Sequence, residues 1–219
     1  RFFDKVSCEF PNKKQRAIQE AQVTFSQVGE ATAGVRSLPP WMQFTSAKGD
    51  RMIQLGRNVL VVNQLLPYPR FDDWEPAIYS ALDVYREIAQ PKEVARLGVR
   101  YLNRIVIPQP RIAMEEFFTI YPRLPQALGN EHGPFMLRVE IPAQDAGHVV
   151  LITFGTIPAD RSEEISHLLD LHDILTVPGP VSPDRMRTEV RRAHANVEAA
   201  FESSIMDKLR TLFEPEVTT

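Results

Sequence analysis

The chain contains a single cysteine, Cys8, among its 219 residues. That excludes an intramolecular disulfide and a cysteine-built zinc site, and it suits a reducing compartment. No Gly-x-Ser-x-Gly elbow, Walker loop, Gly-x-Gly-x-x-Gly turn or His-Glu-x-x-His pair occurs anywhere. The usual fingerprints of serine hydrolases, nucleotide-binding enzymes and zinc proteases are therefore missing, and neither cofactor nor metal is expected. No apolar run is long enough to cross a bilayer, and no apolar signal core lies near the start. Positive charge is not in excess: 25 Lys and Arg face 28 Asp and Glu, a net charge of −3. This argues against a chain dominated by nucleic-acid binding, although a local basic patch is compatible with it. What is present, 43% hydrophobic and 24% charged residues, is the composition of a soluble globular protein with room for a sizeable core. A cytoplasmic location without membrane contact is expected. The chain opens on Arg1 and not on Met, so the true N-terminus is expected to lie elsewhere.

The most regular stretch is 94–108, where apolar and polar residues alternate with a period of two, the mark of a long half-buried strand. One face carries Ala95, Leu97, Val99, Tyr101, Ile105 and Ile107, interrupted by Asn103. The other carries Arg96, Gly98, Arg100, Leu102, Arg104 and Val106. One side suits a core, and the other holds three guanidiniums in a row. Asn103, if buried, must be hydrogen-bonded and would clamp a helix end or turn.

Before this strand, residues 6–10 read as a short strand cut by Pro11, with Cys8 a small buried hydrophobe. Asn12 reads as an N-cap for a helix over 13–28, on the spacing of Ile18, Gln22, Phe25 and Val28. Residues 29–40 read as a connector, with two Gly and a Pro-Pro pair. Strands follow at 41–46, 51–55 and 58–64, the first two joined by a turn with Gly49 where a positive φ is needed. A helix over 72–90 has the stripe Trp74, Ile78, Leu82 and Tyr85, flanked by Ala81 and Ile88.

After the central strand come a short helix near 114–118, a connector over 121–134, and strands at 135–141, 148–154 and 166–176. The last of these could equally begin as a short helix. Ser182, Pro183 and Asp184 then open a long helix as N-cap, first helical proline and acid on the positive dipole end. Its stripe of Met186, Val190, Val197, Phe201, Ile205, Leu209 and Leu212 implies a length of about 45 Å. Each half, 1–91 and 92–219, thus reads β-α-β-β-β-α. The expected fold is α+β: a curved antiparallel sheet from a duplicated unit in one compact domain, with a long C-terminal helix.

Several segments together resemble an uncharacterised, sporadically distributed prokaryotic family. The matching residues are Trp41, Phe44, Thr45 and Ser46, then Gln54 and Leu55, then Trp74. The central strand adds Arg96, Gly98, Arg100, Tyr101, Asn103, Arg104 and Ile105, and the last helix His194, Phe201 and Glu202. The start, Arg1-Phe-Phe-Asp-Lys, departs from the family's Pro-x-Val-Glu entry. The resemblance implies no activity; the family's patchy distribution implies a defence or toxin–antitoxin setting.

Residues four apart on a strand are roughly 13–14 Å apart, so Arg96, Arg100 and Arg104 could follow a phosphodiester chain or engage separate carboxylates. Arg138 is a further basic candidate for the same face. The competing reading pairs these arginines with Glu140 and Asp170 across strands. His167, Asp170, His172 and Asp173 are the only clustered His and Asp. On a strand only Asp170 and His172 share a face, too few for a metal; on a helix His167 and Asp170 could share one. His132 and His148 lie near turns and read as solvated, and His194 reads as packed or surface. Trp41 and Trp74 read as core before stacking platforms. Arg185, Arg187, Arg191 and Arg192 make the start of the last helix basic, the second place for an acidic partner.

The leading expectation is a non-catalytic binding or assembly module. It would recognise a protein or nucleic acid through Arg96, Arg100, Arg104 and Arg138, within an oligomer or hetero-complex. The alternatives are a nuclease-like, phosphodiester-handling enzyme using His172 and Asp170, and a grip-like fold with a small-molecule pocket beneath the last helix.

Overall fold

Gly49 has φ +75, a conformation glycine adopts without a Cβ penalty, and it reverses the chain between two strands. Ser46 Oγ closes this turn by donating to Asp50 Oδ1 at 2.7 Å and accepting from the Arg51 N–H at 3.0 Å. The first of these bonds holds the Asp50 carboxyl below its ordinary value. The computed structural model describes the chain apart from residues 26–30, 126, 128–132, 145–146 and 214–219, and only the backbone of 18–25 and 31–38. Two compact units result, Arg1–Pro91 and Lys92–Thr219.

The first unit runs α1 (Phe2–Val6), β1 (Asn12–Phe25), β2 (Ala31–Thr45), β3 (Arg51–Gly56), β4 (Val59–Gln64) and α2 (Phe71–Ala89). The strands form one antiparallel sheet in the order β1-β2-β3-β4. Phe2, Val6, Phe10, Phe44, Ile53 and Ala81 are its buried apolar cluster. Each large side chain there contributes on the order of 2 kcal/mol.

Two expectations fail in this unit. Residues 6–10 are not a strand: a helical turn sets Phe2 and Val6, four apart, on one buried face, and leaves Cys8 exposed. Residues 13–25 are not helical but form β1, paired along its length with β2, which includes most of the expected connector; Val28 lies outside the described residues. The ladder is irregular between Arg16 and Ile18, opposite Pro39 and Pro40, neither of which has an N–H to donate. Long-range pairing here overrides local helix propensity.

The second unit runs β5 (Glu93–Val94), β6 (Leu97–Ile107), α3 (Met114–Phe117), β7 (Met136–Pro142), β8 (His148–Ile157), β9 (Ile165–Leu175), β10 (Gly179–Pro180), α4 (Pro183–Ser204) and α5 (Asp207–Arg210). Its main sheet is antiparallel in the order β6-β9-β8-β7, and β5 pairs with β10 apart from it. Burial along β6 alternates as its sequence does, with Ile105 and Ile107 fully inside. The strand is shorter than expected, because the chain breaks at Ala95 and Arg96. Residues 165–175 are a strand throughout.

Ser182 caps α4 by accepting from the Arg185 N–H at 3.3 Å, with Pro183 first in the helix. Met186, Val190, Ala193 and Val197 are buried as α4 packs on β9, β6 and β8. Ala193, Val197, Leu169 and Leu171 are completely enclosed. The helix ends at Ser204, at roughly 33 Å, and does not run on to Leu212. Ser204 Oγ bonds back to the Ala200 carbonyl, and Ile205 turns extended to bridge Phe118. The fold is α+β, with antiparallel sheets and one long C-terminal helix. The first half runs α-β-β-β-β-α, so the two halves do not repeat one element order.

Candidate functional site: an arginine notch on the open sheet face

The register of the second sheet fixes which side chains share its helix-free face. Arg100 lies opposite His172, His172 opposite Leu151, and Leu151 opposite Glu140. One row along, Leu102, Asp170, Thr153 and Arg138 follow across the four strands. Residues directly opposite in an antiparallel ladder project to the same side. The two rows, with Arg96 just ahead of β6, enclose a depression of about 230 Å³. Arg96, Arg100, Arg138, Leu151, Thr153, Asp170 and His172 line it.

Arg100 is fixed before any ligand arrives. Its Nε donates to Asp170 Oδ1 at 2.8 Å and its Nη2 to Asp170 Oδ2 at 2.6 Å, a bidentate fork. These bonds hold the guanidinium more firmly protonated than usual, and they leave Nη1 directed elsewhere. Each oxygen of Asp170 accepts one of these two bonds. Burial, then the Arg100 and Arg96 guanidiniums, hold His172 below its ordinary value of 6.5, against the opposite pull of Asp170 and Asp173. Burial and the guanidiniums both favour the uncharged ring. Its seat depends on Gly98, where a Cβ would come within 2.7 Å of His172 Nε2 and 2.9 Å of the Asp173 carbonyl.

Among the sequence candidates, Arg96, Arg100, Arg138, Asp170 and His172 converge here, whereas Arg104 does not. Its Nη2 bonds Asp160 at 2.6 Å, outside the depression. Arg138 makes one long contact, 3.4 Å, to Glu140 of its own strand. Arg96 has no ion pair among the described residues. Cross-strand or same-face pairing therefore neutralises part of the arginine row. Asn103 is hydrogen-bonded, but to the Leu169 carbonyl of the neighbouring strand and not to a helix end. His167 and Asp173 point to the opposite, core face of β9, so the clustered His and Asp are split. Among the described residues, no three His, Cys, Asp or Glu side chains converge as metal ligands.

The opposite side of the sheet holds a polar cluster that sequence reasoning missed. His148, expected to be solvated, is fully buried, with Nδ1 at 2.6 Å from Asp173 Oδ1 and Nε2 at 3.2 Å from Glu189 Oε2. Asn196 Nδ2 donates to Asp173 Oδ2 at 2.8 Å, and Arg192 Nη1 to Glu189 Oε2 at 2.9 Å. Both ring nitrogens thus face carboxylate oxygens. The place of His148 at the head of the inward series His148, Val150, Ile152 and Phe154 was the available signal. His194 is packed, bonded through Nδ1 to Tyr101 Oη at 3.0 Å. Burial first, then Glu198, pushes the Tyr101 hydroxyl up to about 12. Trp41 and Trp74 are half-buried in the first unit, Trp74 edge-on to Phe71, and His132 lies outside the described residues. No helix among the described residues is long and apolar enough to cross a membrane.

Comparison with protein-family models, with curated proteins and with solved structures finds no match to this chain. The functional reading therefore rests on the geometry of the notch.

Proposed function

We propose that the second unit is a non-catalytic binding module that captures an acidic group of a protein partner in the Arg96–Arg100–Arg138 notch. The observation that carries this reading is the lining: three guanidiniums and one carboxylate around a depression sized for a side chain. That excess of positive charge suits a carboxylate or phosphate, and the fork to Asp170 spares Arg100 much of the cost of ordering on binding. A protein is favoured over nucleic acid because Leu102, Val106 and Met136 stand exposed on the same face. An apolar surface with embedded arginines and a methionine has the composition of a protein interface, whereas a phosphate track is polar and basic. Arg104, tied to Asp160, borders this surface. A partner encoded in the same defence or toxin–antitoxin locus fits the family resemblance.

The test is fluorescence anisotropy with labelled acidic peptides, their Asn/Gln counterparts, and single-stranded DNA and RNA. Wild type is set against Arg96→Glu/Arg138→Glu, which spares the Arg100–Asp170 fork. Binding of acidic peptides that the double variant weakens by about a hundredfold supports the reading, on the order of two lost charge-assisted contacts. Preference for the oligonucleotides moves the partner class to nucleic acid. Binding unchanged in the variant removes the notch from consideration.

A further inference from the structure

Strand β7 is an edge of the second sheet, and among the described residues nothing pairs with its outer side. It is exposed on both faces, including Met136 at 81%, Val139 at 38% and Ile141 at 45%. An uncovered edge strand with apolar residues is a template for another strand. We propose that β7 pairs antiparallel with β7 of a second copy of this chain, centred on Val139, and joins the two sheets into one.

The backbone fixes which groups are available. The Ala143 N–H donates to the His148 carbonyl at 3.0 Å, and the Thr156 N–H to the Phe135 carbonyl at 3.0 Å. In the β7–β8 register these are alternate-position pairs, so Leu137, Val139 and Ile141 between them also direct their N–H and C=O groups toward β8. Met136, Arg138, Glu140 and Pro142 therefore point theirs outward. Only registers that oppose two of these residues satisfy both strands. Centring on Val139 sets Arg138 opposite Glu140 of the second copy, and Glu140 opposite its Arg138. Slipping by two residues in either direction would oppose Arg138 to Arg138, or Glu140 to Glu140, which is repulsive. Charge selects one register.

The same register brings Val139 against Val139 and Leu137 against Ile141 on the helix side of the sheet. Of these, Val139 and Ile141 are exposed and Leu137 is half-buried, while α4 packs on β9, β6 and β8. Pro142, with no N–H, ends the pairing. Strand β6, the other edge, carries arginines but no carboxylate, so no self-pairing of it opposes unlike charges. A two-fold axis through the Val139 pair makes the contact closed and isologous. It sets both open faces on one side of the joined sheet, so a dimer would present two arginine notches together. The pairing does not depend on what the notches bind.

The experiment is sedimentation velocity of the full chain over a concentration series, for wild type, Glu140→Arg, and the charge swap Arg138→Glu/Glu140→Arg. The Arg138 and Glu140 side chains are 60% and 63% exposed, so the variants leave the fold intact, which far-UV circular dichroism verifies. Wild type should dimerise reversibly. Glu140→Arg should weaken association about tenfold or more, since two attractive pairs become repulsive. The swap should restore it. A wild-type chain that stays monomeric, a dimer indifferent to Glu140→Arg, or a swap that remains monomeric each overturns the proposal.

Discussion

Replacing Asp173 by alanine tests whether the buried polar cluster holds α4 to the sheet. The Asp173 and His148 side chains are 0% exposed, and Asp173 accepts from both His148 and Asn196. Asp173→Ala removes the partner of the fully buried His148 Nδ1 and the acceptor of the half-buried Asn196 Nδ2. Each buried polar group left without its partner costs about 1–3 kcal/mol. Two such groups predict a loss of about 2–6 kcal/mol, a large share of the roughly 5–15 kcal/mol that stabilises a typical domain. Urea unfolding followed by far-UV circular dichroism measures it, with amide exchange in α4, β8 and β9 as the local readout. Tryptophan fluorescence does not serve, because Trp41 and Trp74 both lie in Arg1–Pro91. Asn196→Ala in the Asp173→Ala background should cost little more, since its partner is already gone. A loss below about 1 kcal/mol for Asp173→Ala, or additive double-variant losses, would refute a cluster that acts as one latch.

Three further outcomes follow from the same geometry. His172 should titrate by NMR below 6.5, and Arg96→Ala should raise its midpoint, because Arg96 is one of the charges that lower it. With the folded value depressed, the unfolded chain binds the extra proton first. The stability this group contributes is therefore full above about 6.5 and is lost as pH falls through the folded value. Gly98→Ala should cost about 1–3 kcal/mol and shift the His172 resonances, because the added methyl meets both the imidazole and the Asp173 carbonyl. Ser182→Ala should remove about 1 kcal/mol by leaving the Arg185 N–H uncapped, read by urea unfolding; an unchanged midpoint would mean that water replaces the cap.

The sequence revealed the second sheet better than the first for a physical reason. In β6 each apolar residue meets the core and each arginine meets solvent, so burial follows the period-two pattern. The caps of α4 were equally plain, since Ser182, Pro183 and Asp184 act within one turn. Strand β1 was hidden because its alternation is weak and its stability comes from β2, whose Pro39 and Pro40 read as a loop. Likewise, the end of α4 at Ser204 depends on a backbone bridge from Ile205 to Phe118, far away in sequence. Residue choice at a position cannot report a partner brought there by topology.

The same distinction explains how the charges of β9 divide. Asp170 and Asp173 are three residues apart, and on a strand an odd separation sends them to opposite faces. Asp170 stiffens Arg100 at the notch, and Asp173 ties β8 and β9 to α4. Arg100 and His172 are cross-strand neighbours, so the strand that anchors the helix inside also positions the guanidinium outside. Loosening the inner cluster should then blur the notch as well as lower stability. Asp173→Asn keeps the shape of the side chain but exchanges the carboxylate for an amide that must share donors with His148. It should preserve the fold yet broaden the NMR signals of His172 and the Arg100 Nε–H. Sharp, unshifted signals at both sites would show that the two faces of β9 are mechanically independent.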